Sequence, residues 1–181
     1  GGFDASVTST VFKGSGLSSS AAFEVMLVAA FDALYNNWTV DAKLNARISQ
    51  YAENVYFGKP SGLLDQMAAS VGGFTTMDFA DPSAPVIEKI DFDLAKYGYS
   101  LCIVNTGGNH ADLTDDYASV PAEMKAVAAA MGKTVLRECD EQAVIDAIPT
   151  LRATVGDRAI LRALHFYAEN RRVATQKAAL L

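Results

Sequence analysis

A run of glycines and serines, Gly14-Ser15-Gly16-Leu17-Ser18-Ser19-Ser20-Ala21-Ala22, stands between a β-branched segment and an apolar helical pattern. Glycines let a backbone approach a ligand closely, and a helix N-terminus offers unpaired N–H groups carrying partial positive charge. Together they suit a phosphate group. The serine hydroxyls can donate to phosphate oxygens, cap helix N–H groups or ligate a hard cation. A second reading of the same residues is a plain helix start capped by Ser18 or Ser19. The spacing is not G-x-x-x-x-G-K-[ST], since Lys13 precedes the glycines.

Two carboxylates stand downstream. Asp65 falls in the first turn of a short helical pattern, where the helix dipole and backbone donors favour a negative charge. Glu53 lies near the end of the second helical pattern and, taken alone, reads as a surface glutamate. Asn105-Thr106-Gly107-Gly108-Asn109-His110 places a glycine turn after a strand-like run, where α/β sites often lie, but also reads as a mere turn. His110 has no evident chemical partner. Arg162, His165, Glu169 and Arg172 repeat at helical spacing, as on an ion-paired helix face.

The elements that must position these residues follow from periodicity. Ala5 to Phe12 is β-branched and reads as a strand. Ser20 to Tyr35 and Val40 to Tyr56 read as helices, the second capped by Thr39, with Phe23, Met26, Leu27, Ala30, Phe31 and Leu34, then Leu44, Ile48, Tyr51, Ala52 and Val55, recurring at helical spacing. Phe57 to Gly62 is a loop, and Leu63 to Val71 a short helix. Phe74 to Phe79, Val86 to Phe92 and Tyr99 to Thr106 read as strands, the last buried through Leu101-Cys102-Ile103-Val104. Helices are expected over 116–131, 135–137, 141–148 and 157–181.

Half of the 181 residues are hydrophobic, enough for one sizeable core, and length alone points to one compact piece. A net charge of −6 argues against a nucleic-acid surface. Cys102 and Cys139 lack metal or disulfide spacing, which fits a reducing, cytoplasmic setting. No apolar run reaches the ~18 residues of a membrane span, and no obligate protein partner is implied. The chain begins at Gly1, not Met, and ends on a helix without a stop signal, so both ends are expected to be cut.

These motifs resemble those of the galactokinases of the GHMP kinase superfamily. Gly14 to Ala22 is similar to that family's Gly-x-Gly-Leu-Ser-Ser-Ser-Ala-Ala phosphate loop, and Gly58-Lys59-Pro60-Ser61-Gly62-Leu63-Leu64-Asp65-Gln66 to its Gly-x-x-Cys-Gly-Ile-Met-Asp-Gln. Ala52-Glu53-Asn54 resembles its Ala-Glu-His or Ala-Glu-Asn, and Arg162 to Arg172 its Arg-Ala-x-His-x-x-x-Glu-x-x-Arg. The likeness runs from about Gly14 to Val173. It implies an α/β (α+β) GHMP kinase fold: a ribosomal protein S5 domain 2-like N-terminal part over 1–79, and the start of a C-terminal α/β domain over 80–181.

By the same resemblance the activity is ATP-dependent phosphorylation of the anomeric hydroxyl of galactose, with ATP and Mg²⁺ as cofactors. Asp65 inherits the catalytic role. Gly14, Gly16, Leu17, Ser18, Ser19, Ser20 and Ala21 would bind nucleotide, Ser20 and Glu53 the metal, and Gly62, Asp65 and Tyr117 the sugar. Residues 106–110 depart from the family's Asn-Ser-Asn-x-x-Arg, which bears on sugar preference. The family's upstream Glu-His-x-Asp motif and downstream glycine-rich motif are absent, so the chain alone is expected to be inactive. Alternatives are a galactose- and ATP-binding sensor without turnover, or a kinase for another hexose such as N-acetylgalactosamine.

Overall fold

The structure is a computed structural model that describes residues 2–11, 16–104 and 114–181. The chain divides into two compact units, residues 1–75 with 93–112 and residues 76–92 with 113–181, in place of the single piece that length suggests.

The first unit is built on three helices, α1 (Ser19–Tyr35), α2 (Ala42–Tyr51) and α3 (Leu64–Val71), which pack on one another. Only the strip Ala21, Val25 and Asp32 of α1 is buried, whereas Phe23, Phe31 and Leu34, at the same helical spacing, are exposed. The reason lies in α2, whose buried positions Asn45, Ala46 and Ser49 lead on to Glu53. Asn45, Ser49 and Glu53 recur at i, i+4 and i+8, one face of a helix. Asn45 Nδ2 donates to the Val25 carbonyl at 3.2 Å, and Ser49 Oγ to Asn45 Oδ1 at 3.3 Å. A satisfied polar ladder therefore occupies the interior, and Leu44, Ile48, Tyr51 and Val55 of the same helix are exposed.

Asp41, not Thr39, caps α2, its side chain accepting from the Leu44 N–H at 2.8 Å. Thr39 is drawn instead into the turn after α1, where buried Asp32 accepts from the N–H groups of Thr39 and Val40, each at 3.1 Å. That anchoring offsets the positive φ of Asn37 and Trp38, 56° and 59°. After Tyr51 the helix widens into a π turn, Ala52–Tyr56. α3 stops at Gly72, whose φ of 67° suits glycine.

Two expected strands are absent among the described residues. Val7, Leu101, Ile103 and Val104 are exposed, and their segments join no sheet. A β-branched or apolar run becomes a strand only where a neighbour completes its hydrogen bonds, and no described strand lies beside either. Residues 12 and 105–106, at the ends of the two runs, lie outside the described residues.

β1 (Phe74–Asp78) and β2 (Val86–Ile90) pair in a two-stranded sheet, as expected, and a 3₁₀ turn follows at Leu94–Tyr97. The second unit continues with α4 (Thr114–Ala130), a 3₁₀ turn at Leu136–Glu138, α5 (Glu141–Asp146), α6 (Ile148–Thr154) and α7 (Asp157–Leu180). Its core gathers Val127, Leu136, Val144, Leu151, Ile160, Ala163 and Tyr167. Buried Tyr167 donates to the carbonyls of Leu136 and Cys139 at 3.2 and 3.4 Å, tying α7 to the turn after α4. On the expected ion-paired face, Glu169 meets Arg172 and lies 3.6 Å from His165 Nδ1, while Arg162 reaches Glu123 of α4 at 2.9 Å.

Candidate active site

Ser18 precedes α1 in the left-handed region, φ 55° and ψ 45°, beside Gly16 at φ 74°. Its hydroxyl makes no cap bond to the helix, so the capping alternative does not hold for Ser18. Ser19 and Ser20 open α1, where the first N–H groups have no partner within the helix, and Ala21 is buried beneath them. Gly16 and Leu17 are exposed on the approach. Gly14 lies outside the described residues, as do Lys13, Ser15 and the 105–113 stretch with its His110.

Glu53 is not a surface residue. It is only 3% exposed, because the π turn aims it between α1 and α3. π turns of this kind are frequent at functional sites. Three donors converge on its carboxylate. Ser20 Oγ reaches Oε1 at 3.0 Å, Lys59 Nζ reaches Oε1 at 2.7 Å, and Gln66 Nε2 reaches Oε2 at 2.6 Å. Burial by itself pushes the Glu53 carboxyl up, but the bonds from Lys59 and Ser20 and the nearby ammonium charge outweigh it, leaving the group below the ordinary carboxylate value.

Glu24, on the second turn of α1, faces the same cluster and accepts a long 3.4 Å bond from Gln66 Nε2. Its carboxyl is shifted the other way. Burial raises it first and the neighbouring Glu53 charge second, against smaller lowering by Gln66 and Lys59.

The Phe57 to Gly62 loop is held onto the helix end by side chains. Asn54 Oδ1 accepts from the Ser61 N–H at 2.8 Å and the Ser61 hydroxyl at 3.0 Å, while Gln50 Nε2 donates to the Ser61 carbonyl at 3.0 Å. Gly58, at φ 65°, turns the chain back so that the Lys59 N–H bonds the Glu53 carbonyl at 3.2 Å. Asp65 then lies in the first turn of α3, exposed, next to buried Gln66. Gly62 is open enough that a side chain there would touch nothing within 4 Å.

The structure thus gathers Ser20, Lys59, Gln66 and Glu24 around the Glu53 carboxylate. Tyr117 lies exposed near the start of α4 and belongs to the second unit. The shallow cleft between Val25, Met26, Trp38, Val40 and Ser70 contains none of the expected site residues.

Comparison with known proteins points to one family. Residues 1–73 match GHMP kinases N terminal domain. A galactokinase of Streptomyces coelicolor is 36% identical over 181 residues, covering 95% of this chain and 44% of that relative. A galactokinase of Mycobacterium tuberculosis strain H37Rv is 33% identical over 175 residues, covering 97% of the chain and 47% of the relative. One of Streptomyces lividans is 37% identical over 181 residues, covering 95% and 42%.

Residues 1–73 are similar to the GHMP kinases N terminal domain, and nearly the whole chain is similar to galactokinases.

It spans less than half the length of these curated relatives. The fit of a divalent cation can be judged from the donors present. No group of three or more His, Cys, Asp or Glu able to hold a metal occurs among the described residues, so a cage of protein carboxylates is not what they form. Mg²⁺ commonly takes one or two protein oxygens and completes its shell with water and nucleotide phosphate. The Glu53 carboxylate and Ser20 hydroxyl offer that pair, and an ammonium already stands beside the shared oxygen where a cation is favoured. The donor set fits.

Sequence reasoning missed Lys59, Gln66 and Glu24 as parts of the site. Gln66 stood inside the quoted motif, immediately after Asp65, and Glu24 one turn beyond Ser20. Helical spacing of Glu24 from Ser20 was the available signal.

Proposed function

We propose that this chain forms part of an ATP-dependent sugar kinase that converts galactose to galactose 1-phosphate. The observation that carries the reading is the convergence of Ser20 and Glu53, 33 residues apart, at the start of a helix whose preceding loop matches the family's phosphate loop. The galactokinase names of the relatives support the substrate.

In this reading the N–H groups opening α1, with the Gly14 to Ala21 loop, receive the nucleotide phosphates. Ser20 and Glu53 hold Mg²⁺, which when bound neutralises charge on the phosphate oxygens. Asp65, exposed in the first turn of α3, orients the anomeric hydroxyl and takes its proton. The bond formed joins that oxygen to the γ-phosphorus, the bond broken frees ADP, and the proton resides on Asp65. Gly62 leaves room for the sugar. The two free cysteines, Cys102 and Cys139, agree with a reducing, cytoplasmic setting. Among the described residues no helix is long and apolar enough to cross a membrane.

The test is release of ADP by the purified full-length gene product with Mg²⁺·ATP and, separately, galactose, N-acetylgalactosamine or no sugar. Galactose-dependent release is expected. Preference for N-acetylgalactosamine would reassign the substrate, and saturable galactose binding without ADP release would make the protein a sensor.

A further inference from the structure

Lys59 is the cationic member of the Glu53 cluster, and catalysis, as described, does not use it. Its side chain leaves the Gly58-Lys59-Pro60 turn, runs back over the helix end and places Nζ 2.7 Å from Glu53 Oε1. The two partners differ sharply in exposure: the Lys59 side chain is 60% exposed and that of Glu53 4%. A buried carboxylate without a countercharge is costly, so the ammonium stabilises Glu53 while remaining free to withdraw into water. The loop itself is anchored elsewhere, through Ser61 to Asn54 and Gln50, so the lysine can leave without unfastening the turn.

The geometry of the shared oxygen gives this pairing a consequence. Oε1 of Glu53 accepts from both Lys59 Nζ and Ser20 Oγ. A cation such as Mg²⁺ requires its oxygen ligands at about 2.1 Å. Held between Ser20 and Glu53, it would approach the same oxygen as the ammonium, and two like charges at that separation repel strongly in a partly buried site. The two cations are alternatives.

We propose that Lys59 is a resident cation of the site: its ammonium holds Glu53 in place when no metal is bound, and a divalent cation must displace it to reach Glu53 and Ser20. This rests on the metal reading of Glu53 given above. Lys59 is a positioning residue, setting how tightly the metal is held and keeping the carboxylate aligned before it arrives.

Mn²⁺ alone, titrated into the full-length protein and followed by electron paramagnetic resonance, tests this together with thermal melting in EDTA and in saturating Mg²⁺. In Lys59→Met, Mn²⁺ should bind tighter by about threefold or more, because a partly exposed ion pair no longer competes. Its melting temperature in EDTA should fall below that of the wild type, and Mg²⁺ should raise it by more. Lys59→Arg should keep the weaker wild-type affinity. If Lys59→Met does not fold, Lys59→Gln retains a donor without the charge and should show the same tightening. Unchanged Mn²⁺ affinity in the neutral variants, with binding lost in Glu53→Gln, would overturn the role of Lys59 while leaving the metal site intact. Unchanged binding in Glu53→Gln would overturn both.

Discussion

Gln66 Nε2 lies 2.6 Å from Glu53 Oε2, joining α3 to the π turn after α2 through two buried side chains. Gln66 is fully enclosed, and its own Oε1 has no hydrogen-bond partner. An orphaned buried acceptor is tolerated here because the amide's other end satisfies a buried carboxylate. Gln66→Ala removes that donor and leaves a cavity, so it should destabilise the protein by about 2–4 kcal/mol. Urea unfolding of the variant beside the wild type measures it, and a loss within error of zero would mean that the contact is energetically idle.

Glu53 and Glu24 make opposite contributions to the pH dependence of stability. The folded-state value of Glu53 is lowered, so the unfolded chain binds more protons in that range. Its contribution is complete above the unfolded value of about 4.3 and disappears as pH falls through the folded one. The folded-state value of Glu24 is raised, chiefly by burial, so its ionised form weighs against the fold above the same pH. Glu24→Gln should therefore raise the melting temperature at pH 7, with the gain vanishing near pH 4. A melting series across that range decides it: a gain independent of pH would show that charge at Glu24 is not the cause.

Tyr167 makes a similar forecast at the alkaline end. Desolvation, then the neighbouring Cys139, Glu141 and Asp140, push its hydroxyl up to about 12. The folded state thus holds the proton more firmly than the unfolded chain, whose tyrosine titrates near 10. The stabilisation is whole below pH 10 and declines towards pH 12. Tyr167→Phe should cost about 1 kcal/mol at neutral pH by freeing the carbonyls of Leu136 and Cys139. The deficit should shrink above pH 10, which chemical unfolding at two pH values would reveal.

The helices were legible because their apolar residues repeat at 3.6, and α1, α2, α3, α4 and α7 fall within a few residues of expectation. α6 was not: the expected helix stops at Ile148, whereas Pro149 lies in the first turn of the next one, where proline fits well. The runs over Val7 and Leu101 to Val104 carry strand composition without strand structure, since pairing depends on a neighbour that composition cannot supply. Glu53 escaped for a related reason. Its burial follows from Asn45 and Ser49 sharing its face of α2, a polar stripe that hydrophobic periodicity assigns to solvent. Motif likeness singled out Ser20, Glu53 and Asp65 as candidates, yet could not show that Lys59 reaches back to a carboxylate six residues earlier.

Asp65 offers the sharpest test of the catalytic reading, because its surroundings separate it from its neighbours. It is exposed at the start of α3, while Gln66 beside it is buried in the Glu53 cluster. Replacing Asp65 with asparagine keeps the size and a polar end while removing the ability to accept a proton. The helix loses one favourable charge at its N-terminus, worth about 0.3–1 kcal/mol, so the fold should persist. In the full-length protein kcat should fall by roughly 10²–10⁴, the usual contribution of a positioned general base, with little change in KM for either substrate. Mn²⁺ binding should match the wild type, because Glu53 and Ser20 are untouched. Near-normal kcat in Asp65→Asn would remove this carboxylate from the chemistry, whereas a lost kcat accompanied by lost Mn²⁺ binding would assign its effect to the Glu53 cluster instead.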